Sequence, residues 1–292
     1  MRNIRIVTDT SSDLFGLECV DFAAAPMKII TAEREFVDDE SLDTSEMVAY
    51  LDSYKGKSKS SCPNTEDWLA AFGDAEEIFC ATITSGLSGS YNAACVAKSA
   101  YLEAHPERRV HVIDTLSAGP EVTLVAKKLE ELIERDLSFD QIKDAITEYL
   151  KKTGLVFMLK SLKTFANNGR ISPLVAKLVG IAGLSIVGRA SDVGTLEPMH
   201  KCRGERRSLE AIVEHLSSMG VGAPKDGSTE PTVYRLSIGH CQNEPAALAL
   251  REMILSKLSH PSVKLEIEIH PFRGLCSFYA EKGGVLVGFE HL

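Results

Sequence analysis

Apolar and polar positions change their rhythm along this chain. In the first half, short apolar runs alternate with stretches of helical period. RNIRIVTDT, residues 2–10, reads as a strand leading into SSDLF, a helix start. EEIFCATI (76–83) is a second strand and RRVHVIDTLS (108–117) a third. Between them YNAACVAKSAYLEA reads as a helix. A helix over 122–134 places Val125, Leu129, Leu132 and Ile133 on one face. Ser138 and Gln141 have the spacing of a capping box for a helix carrying Ile142, Ile146, Tyr149 and Leu150. Strands joined by helical crossovers predict a mostly parallel sheet with helices on both sides.

Near residue 153 the pattern changes. GLVFMLKSLKTF is followed by a helical stretch from Ser172 and then by LSIVGRASDVGTLEPMHKC. The latter is two strand-like runs around a turn with Asp192 and Gly194, hence a hairpin. A helix from Ser208 to about Met219 stops at Gly220. The polar loop APKDGSTEP leads into strand TVYRLSIGH, then a helix over 245–258. VKLEIEIHPF has apolar residues at 263, 265, 267 and 269, a half-buried strand. The expected fold is α/β: residues 1–152 form an α/β domain, and 153–292 an α+β domain with an antiparallel or mixed sheet.

Composition narrows the function classes. The 292 residues are 44% apolar and 25% charged, with a net charge of -9, which disfavours a nucleic-acid partner. No apolar run reaches the length of a membrane span, and MRNIRIVTDTSSDL lacks a signal-peptide core, so a cytoplasmic protein is expected. The seven cysteines are scattered without a C-x-x-C pair, which suits a reducing compartment and neither a disulfide framework nor a metal site. The basic run KCRGERR (201–207) is open to two readings, a solvated turn and helix start or a docking patch for an acidic partner.

Candidate chemistry gathers at ATITSGLSGSYNAA, a strand, a hydroxyl-rich turn and a helix start. Such a turn offers N–H groups and a helix dipole to an anion. A nucleotide-binding P-loop would need a lysine after the glycines, and none is present. A G-x-S-x-G nucleophile elbow fits Gly86 and Ser88 but fails at Ser90, though Asp114 and His240 follow in hydrolase order. Passive capture of a carboxylate or small phosphate is the third reading, and simple helix capping by Ser85, Ser88 and Ser90 the plainest. In KSSCPNTEDW, Ser60 and Ser61 sit in an extended segment before a helix capped by Asn64 or Thr65. In FANNGRIS, Asn167, Asn168 and Gly169 form a turn that projects Arg170, whose planar fork suits a carboxylate or a salt bridge.

Taken in order, IVTDTSSDL, SSCPN, ITSGLSGSYNAA, VIDTLSAG, LKTFANNGRIS and the final GGVLVGFE resemble the DegV family over the whole chain. That family includes the fatty-acid-binding subunits of bacterial fatty acid kinase. The resemblance implies a long-chain fatty acid in a tunnel between the two domains, without catalytic residues, cofactor or metal. Its carboxylate is held by hydroxyls carried over as Ser60, Ser61 and Ser85, with Gly86 and Ser88 of the same turn and Arg170 near the head group. A separate ATP-dependent kinase subunit would phosphorylate the bound acid. Departures are Ser60 in place of a threonine, Cys62 in place of a glutamine, and Tyr279 in place of a histidine. Tyr279 can donate a hydrogen bond but cannot become a cation near neutral pH, which bears on the kinase partner more than on lipid binding. The alternatives are a serine acyl-hydrolase using Ser88, and a carrier of another amphiphilic carboxylate with no kinase. Residues 173–187, rich in aliphatics, either line the tail channel or form an ordinary buried helix and strand. A sixteen-carbon tail offers roughly 11 kcal/mol gross at about 0.8 kcal/mol per methylene.

Overall fold

The computed structural model describes residues 2–171, 175, 183–224 and 231–291. Most of the stretch 173–187 and the centre of the APKDGSTEP loop therefore lie outside the described residues. Three sheets organise the described residues. The first is a parallel sheet of β1 (Ile4–Asp9), β2 (Asp21–Ala25), β6 (Glu77–Thr82) and β7 (Arg109–Asp114), in the order β2-β1-β6-β7. Side-chain alternation gives it two apolar faces. Ile6, Phe79 and Ile113 pack under α4 (Pro120–Glu134) and α5 (Phe139–Tyr149). Val7, Ile78 and Cys80 pack under α2 (Thr65–Phe72) and α3 (Ser90–Ala104). The Ser138–Gln141 capping box starts α5 as the spacing predicts.

The second sheet is mixed: β8 (Thr153–Leu159), β9 (Leu184–Ala190), β10 (Leu196–Arg203), β11 (Thr232–His240), β12 (Val263–Pro271) and β13 (Val285–Glu290), in the order β10-β9-β8-β13-β11-β12. β9 and β10 form the expected hairpin, and β12 runs parallel to β11 with one half-buried face. On β8, Val156 and Met158 point toward α7 (Glu205–Ser218) and α8 (Glu244–Leu258). Phe157 and Leu159 point the opposite way, toward the N-terminal half. That second face meets the third sheet, β3 (Lys28–Ile30), β4 (Glu35–Val37) and β5 (Lys59–Ser61), and α1 (Thr44–Ser53). Two further short helices among the described residues are α6 (Lys163–Asn167) and the buried α9 (Gly274–Ala280).

The helix expected at SSDLF is a single 3-10 turn, Thr10–Ser12. The Asp9 carboxylate accepts from the Ser11 N–H and hydroxyl, and Asp13 then turns left-handed at φ 57, so the chain leaves the helical path. None of the helices among the described residues is long and apolar enough to cross a membrane.

Candidate functional site

The hydroxyl-rich turn after β6 is held from below by one buried carboxylate. Asp9 Oδ2 accepts from the Ile83 N–H at 2.9 Å and the Ser90 hydroxyl at 2.6 Å, pinning both ends of the turn. Burial pushes the Asp9 carboxyl up, and these hydrogen bonds pull it back. Within the turn, Thr84 N–H donates to the Ser117 carbonyl at 2.8 Å, and Thr84 Oγ1 accepts from the Gly86 N–H at 3.0 Å. The Ser88 hydroxyl oxygen accepts from the Ser90 N–H at 3.2 Å, which leaves its own proton for a ligand. α3 starts at Gly89 without a side-chain cap.

The second hydroxyl segment reaches the same place. β5 pairs with β3, setting Ser60 opposite Ile29. The Ser60 and Tyr279 hydroxyls lie 2.8 Å apart, one donating to the other, so the pair keeps one proton free. Ser61 donates to the Cys62 carbonyl at 3.2 Å. Cys62 Sγ would lie 3.4 Å from a Cβ on Gly89, so the segment abuts the start of α3. Tyr279 also packs on Phe165, with ring centroids 4.7 Å apart.

Between these segments and the mixed sheet lies a cavity of about 300 Å³. Ser60, Ser61, Ser88, Arg170 and Tyr279 line it, all at its half-exposed or exposed side. Most of the buried side is apolar: Leu155, Phe157 and Leu159 from β8 and Leu275 and Cys276 from α9, joined by half-buried Leu286 from β13. The C-terminal half thus supplies most of the greasy wall and the N-terminal half most of the hydroxyls.

Two expected residues fall elsewhere. Ser85 and Gly86 are exposed and do not line the cavity. The Ser85 N–H donates to Asp114 Oδ1 at 3.1 Å. Gly86 lies against the β9–β10 turn, where a Cβ would come 2.7 Å from the Val193 carbonyl oxygen. In that turn Gly194, at φ 72, leaves no room for a side chain, since a Cβ would sit on Thr84. The structure adds residues that the sequence left unmarked: Thr84, Ser117, Thr195 and Arg189 also line the cavity. Arg189 is paired with Glu197 at 2.9 Å.

The charge inventory is one-sided. Arg170 and Arg189 line the cavity, and among the described residues no carboxylate or imidazole does. Asp114 and His240, the other members of a hydrolytic triad, are not in the wall, so Ser88 has no general base there. The arrangement can hold an anion, and among the described residues of the wall no carboxylate or imidazole is placed to activate a nucleophile.

α9 brings Leu275, Cys276 and Tyr279 to this wall, and carboxylates of the N-terminal half hold its start. Asp38 accepts from the Gly274 N–H at 2.9 Å and the Leu275 N–H at 2.8 Å. Asp13 Oδ1 accepts from the Arg273 N–H at 2.7 Å. Burial, with a smaller push from Asp38, drives the Asp13 carboxyl up to about 8. The folded protein therefore keeps a proton on Asp13 that the unfolded chain has released. The sign follows: Asp13 favours folding most below its ordinary value, and that contribution is lost as pH rises from about 4 to about 8. Asp13→Asn is expected to flatten this part of the stability profile, with a smaller gain or none at pH 5 and a gain over the native protein at pH 9. Urea midpoints at the two pH values check it, and parallel profiles would refute it.

A family model described as "Uncharacterised protein, DegV family" matches residues 3–291. A DegV domain-containing protein of Streptococcus pneumoniae is 40% identical over 290 residues, 98% of each chain. Among solved structures, the fatty acid kinase B3 protein of Streptococcus pneumoniae, loaded with linoleic acid, is 40% identical with a TM-score of 0.91, each chain fully covered. A DegV family protein from Eubacterium eligens, loaded with heptadecanoic acid, is 38% identical with a TM-score of 0.90 over 99% of this chain and 100% of that one.

Proposed function

The chain belongs to the DegV family, and from that premise we propose that it binds a long-chain fatty acid, carboxylate at the hydroxyl side of the cavity and tail against the mixed sheet. One observation carries the reading: the wall offers hydroxyls and two arginines, no acid or imidazole among the described residues, and otherwise apolar surface. A buried carboxylate needs such donors, because without them its desolvation would outweigh the gain from the tail. The relatives loaded with heptadecanoic and linoleic acids support it by likeness.

In this reading Ser60, Ser61, Ser88 and Tyr279 are the hydroxyls nearest the head group, and Arg170 supplies positive charge at the rim. The division at residue 152 becomes functional, one domain gripping the head and the other sheltering the tail. The protein is a binding partner, not a catalyst. A separate ATP-dependent kinase subunit would act on the presented carboxylate, a proposal supported by the likeness to a component of fatty acid kinase.

Organic extraction of the purified protein followed by mass spectrometry tests the ligand class. A fatty acid near one equivalent is expected; a neutral lipid in its place would overturn the reading. Residue roles are tested by titration. Ser88→Ala is expected to weaken fatty-acid binding about 10- to 100-fold, the worth of a hydrogen bond to a charged group of about 1.5–3 kcal/mol. Ser85→Ala is expected to leave affinity within about twofold, since Ser85 is exposed and not among the residues of the wall.

A further inference from the structure

In the apolar wall, Phe157 of β8 stands directly opposite Gly188 of β9. Opposed residues on neighbouring strands project to the same face. A Cβ on Gly188 would come 2.5 Å from Phe157 Cζ and 2.7 Å from its Cε2. The ring therefore occupies the space that any side chain at 188 would fill, lying across the sheet instead of standing up from it. On its other flank Phe157 faces Leu286 of β13, which also lines the cavity. A ring displaced from Gly188 has Leu286 beside it and the sheet beneath it, and the open direction is the cavity. The same aromatic-over-glycine contact occurs at Gly154 and Phe289, but on the face covered by α7 and α8, where no ligand space adjoins it.

We propose that the Phe157–Gly188 pair determines tail-length specificity: the bare backbone at 188 keeps the ring flat and so keeps the cavity deep enough for a long acyl chain. This inference rests on the fatty-acid reading and deepens it by naming the residues that measure the tail.

The test is competition of saturated acids of fourteen to twenty carbons against a fluorescent fatty acid, for the native protein, Gly188→Ala and Phe157→Leu. Gly188→Ala is expected to lift the ring and lower the ratio of eighteen- to fourteen-carbon affinity about fifteenfold, the equivalent of about two methylenes. Phe157→Leu is expected to move preference the other way, raising the ratio of twenty- to sixteen-carbon affinity. Gly188 also lies close to the Glu197 carbonyl oxygen, 2.6 Å from the added Cβ. If that variant does not fold, the Phe157→Leu ratio alone decides. Ratios within about twofold of native in the variants that fold would overturn the inference while leaving fatty-acid binding intact. A native protein that binds none of the acids would overturn both.

Discussion

Shortening a saturated fatty acid from sixteen to twelve carbons is expected to weaken its binding roughly 200-fold. Four methylenes at about 0.8 kcal/mol each amount to about 3 kcal/mol, and each 1.4 kcal/mol is tenfold. The estimate requires the tail to leave water completely, and the wall is built for that. Leu155, Phe157 and Leu159 come from one face of β8, joined by Leu275 and Leu286, all buried or half-buried. Two effects pull the slope down: a longer tail loses more rotational freedom on binding, and a chain longer than the cavity leaves its end in solvent. The head group works differently. In the proposed binding mode Ser60, Ser61, Ser88, Tyr279 and Arg170 lie on the half-exposed and exposed side, where water competes and salt screens, so they would select a carboxylate while the tail supplies most of the affinity. Competition titration of the twelve-, fourteen- and sixteen-carbon acids measures the slope. A change below about threefold across the series would mean that the hydrocarbon is not buried, and tail burial in this cavity would fall.

What could be read beforehand, and what could not, divides along physical lines. The strand–turn–helix at 81–94 was legible because glycines and serines punctuate an apolar run and an alanine-rich helix. The α5 capping box was legible because its spacing is fixed. The third sheet was not, since its strands are three residues long and too short to carry a period. α9 was missed for the opposite reason: buried nearly all round, GLCSFYA has no polar face to set a rhythm. At the site, the pairing of Ser60 with Tyr279 spans 219 positions and is made by the fold. Resemblance places Ser85 at the ligand, but whether a turn residue reaches a cavity depends on how the fold ties the turn; here the Ser85 N–H is held by Asp114 and Ser85 is not in the wall. Arg189 reads in the sequence as one residue of a hairpin strand, and only sheet packing brings it to the cavity.

Asp38→Ala is expected to cost about 3–5 kcal/mol of folding stability, the range for removing one member of a buried ion pair. Asp38 is fully buried, and Arg273 beside it is 5% exposed. The carboxylate accepts from two donors, the Gly274 and Leu275 N–H groups, and forms an ion pair with the Arg273 guanidinium, whose Nε lies 3.6 Å from Oδ1, beyond hydrogen-bond reach. Gly274 carries no Cβ because one would fall 2.8 Å from Asp38 Oδ1, so the approach is as close as backbone permits. Alanine would strand two buried N–H groups and leave the Arg273 guanidinium with the backbone carbonyls of residues 14 and 38 and the Phe15 ring, but without the carboxylate it is paired with. A loss of that size is a large share of the roughly 5–15 kcal/mol that holds a typical domain. It also reaches the ligand, because α9 carries Leu275, Cys276 and Tyr279 to the wall, and fraying of its start loosens all three. Urea unfolding of the native protein and the variant measures the cost, and a shift below about 1 kcal/mol would show that the carboxylate is not the anchor. Adding Arg273→Met separates the causes. If the stranded charge dominates, the double variant recovers part of the loss; if the unpaired N–H groups of α9 dominate, it recovers none, because methionine offers them no acceptor.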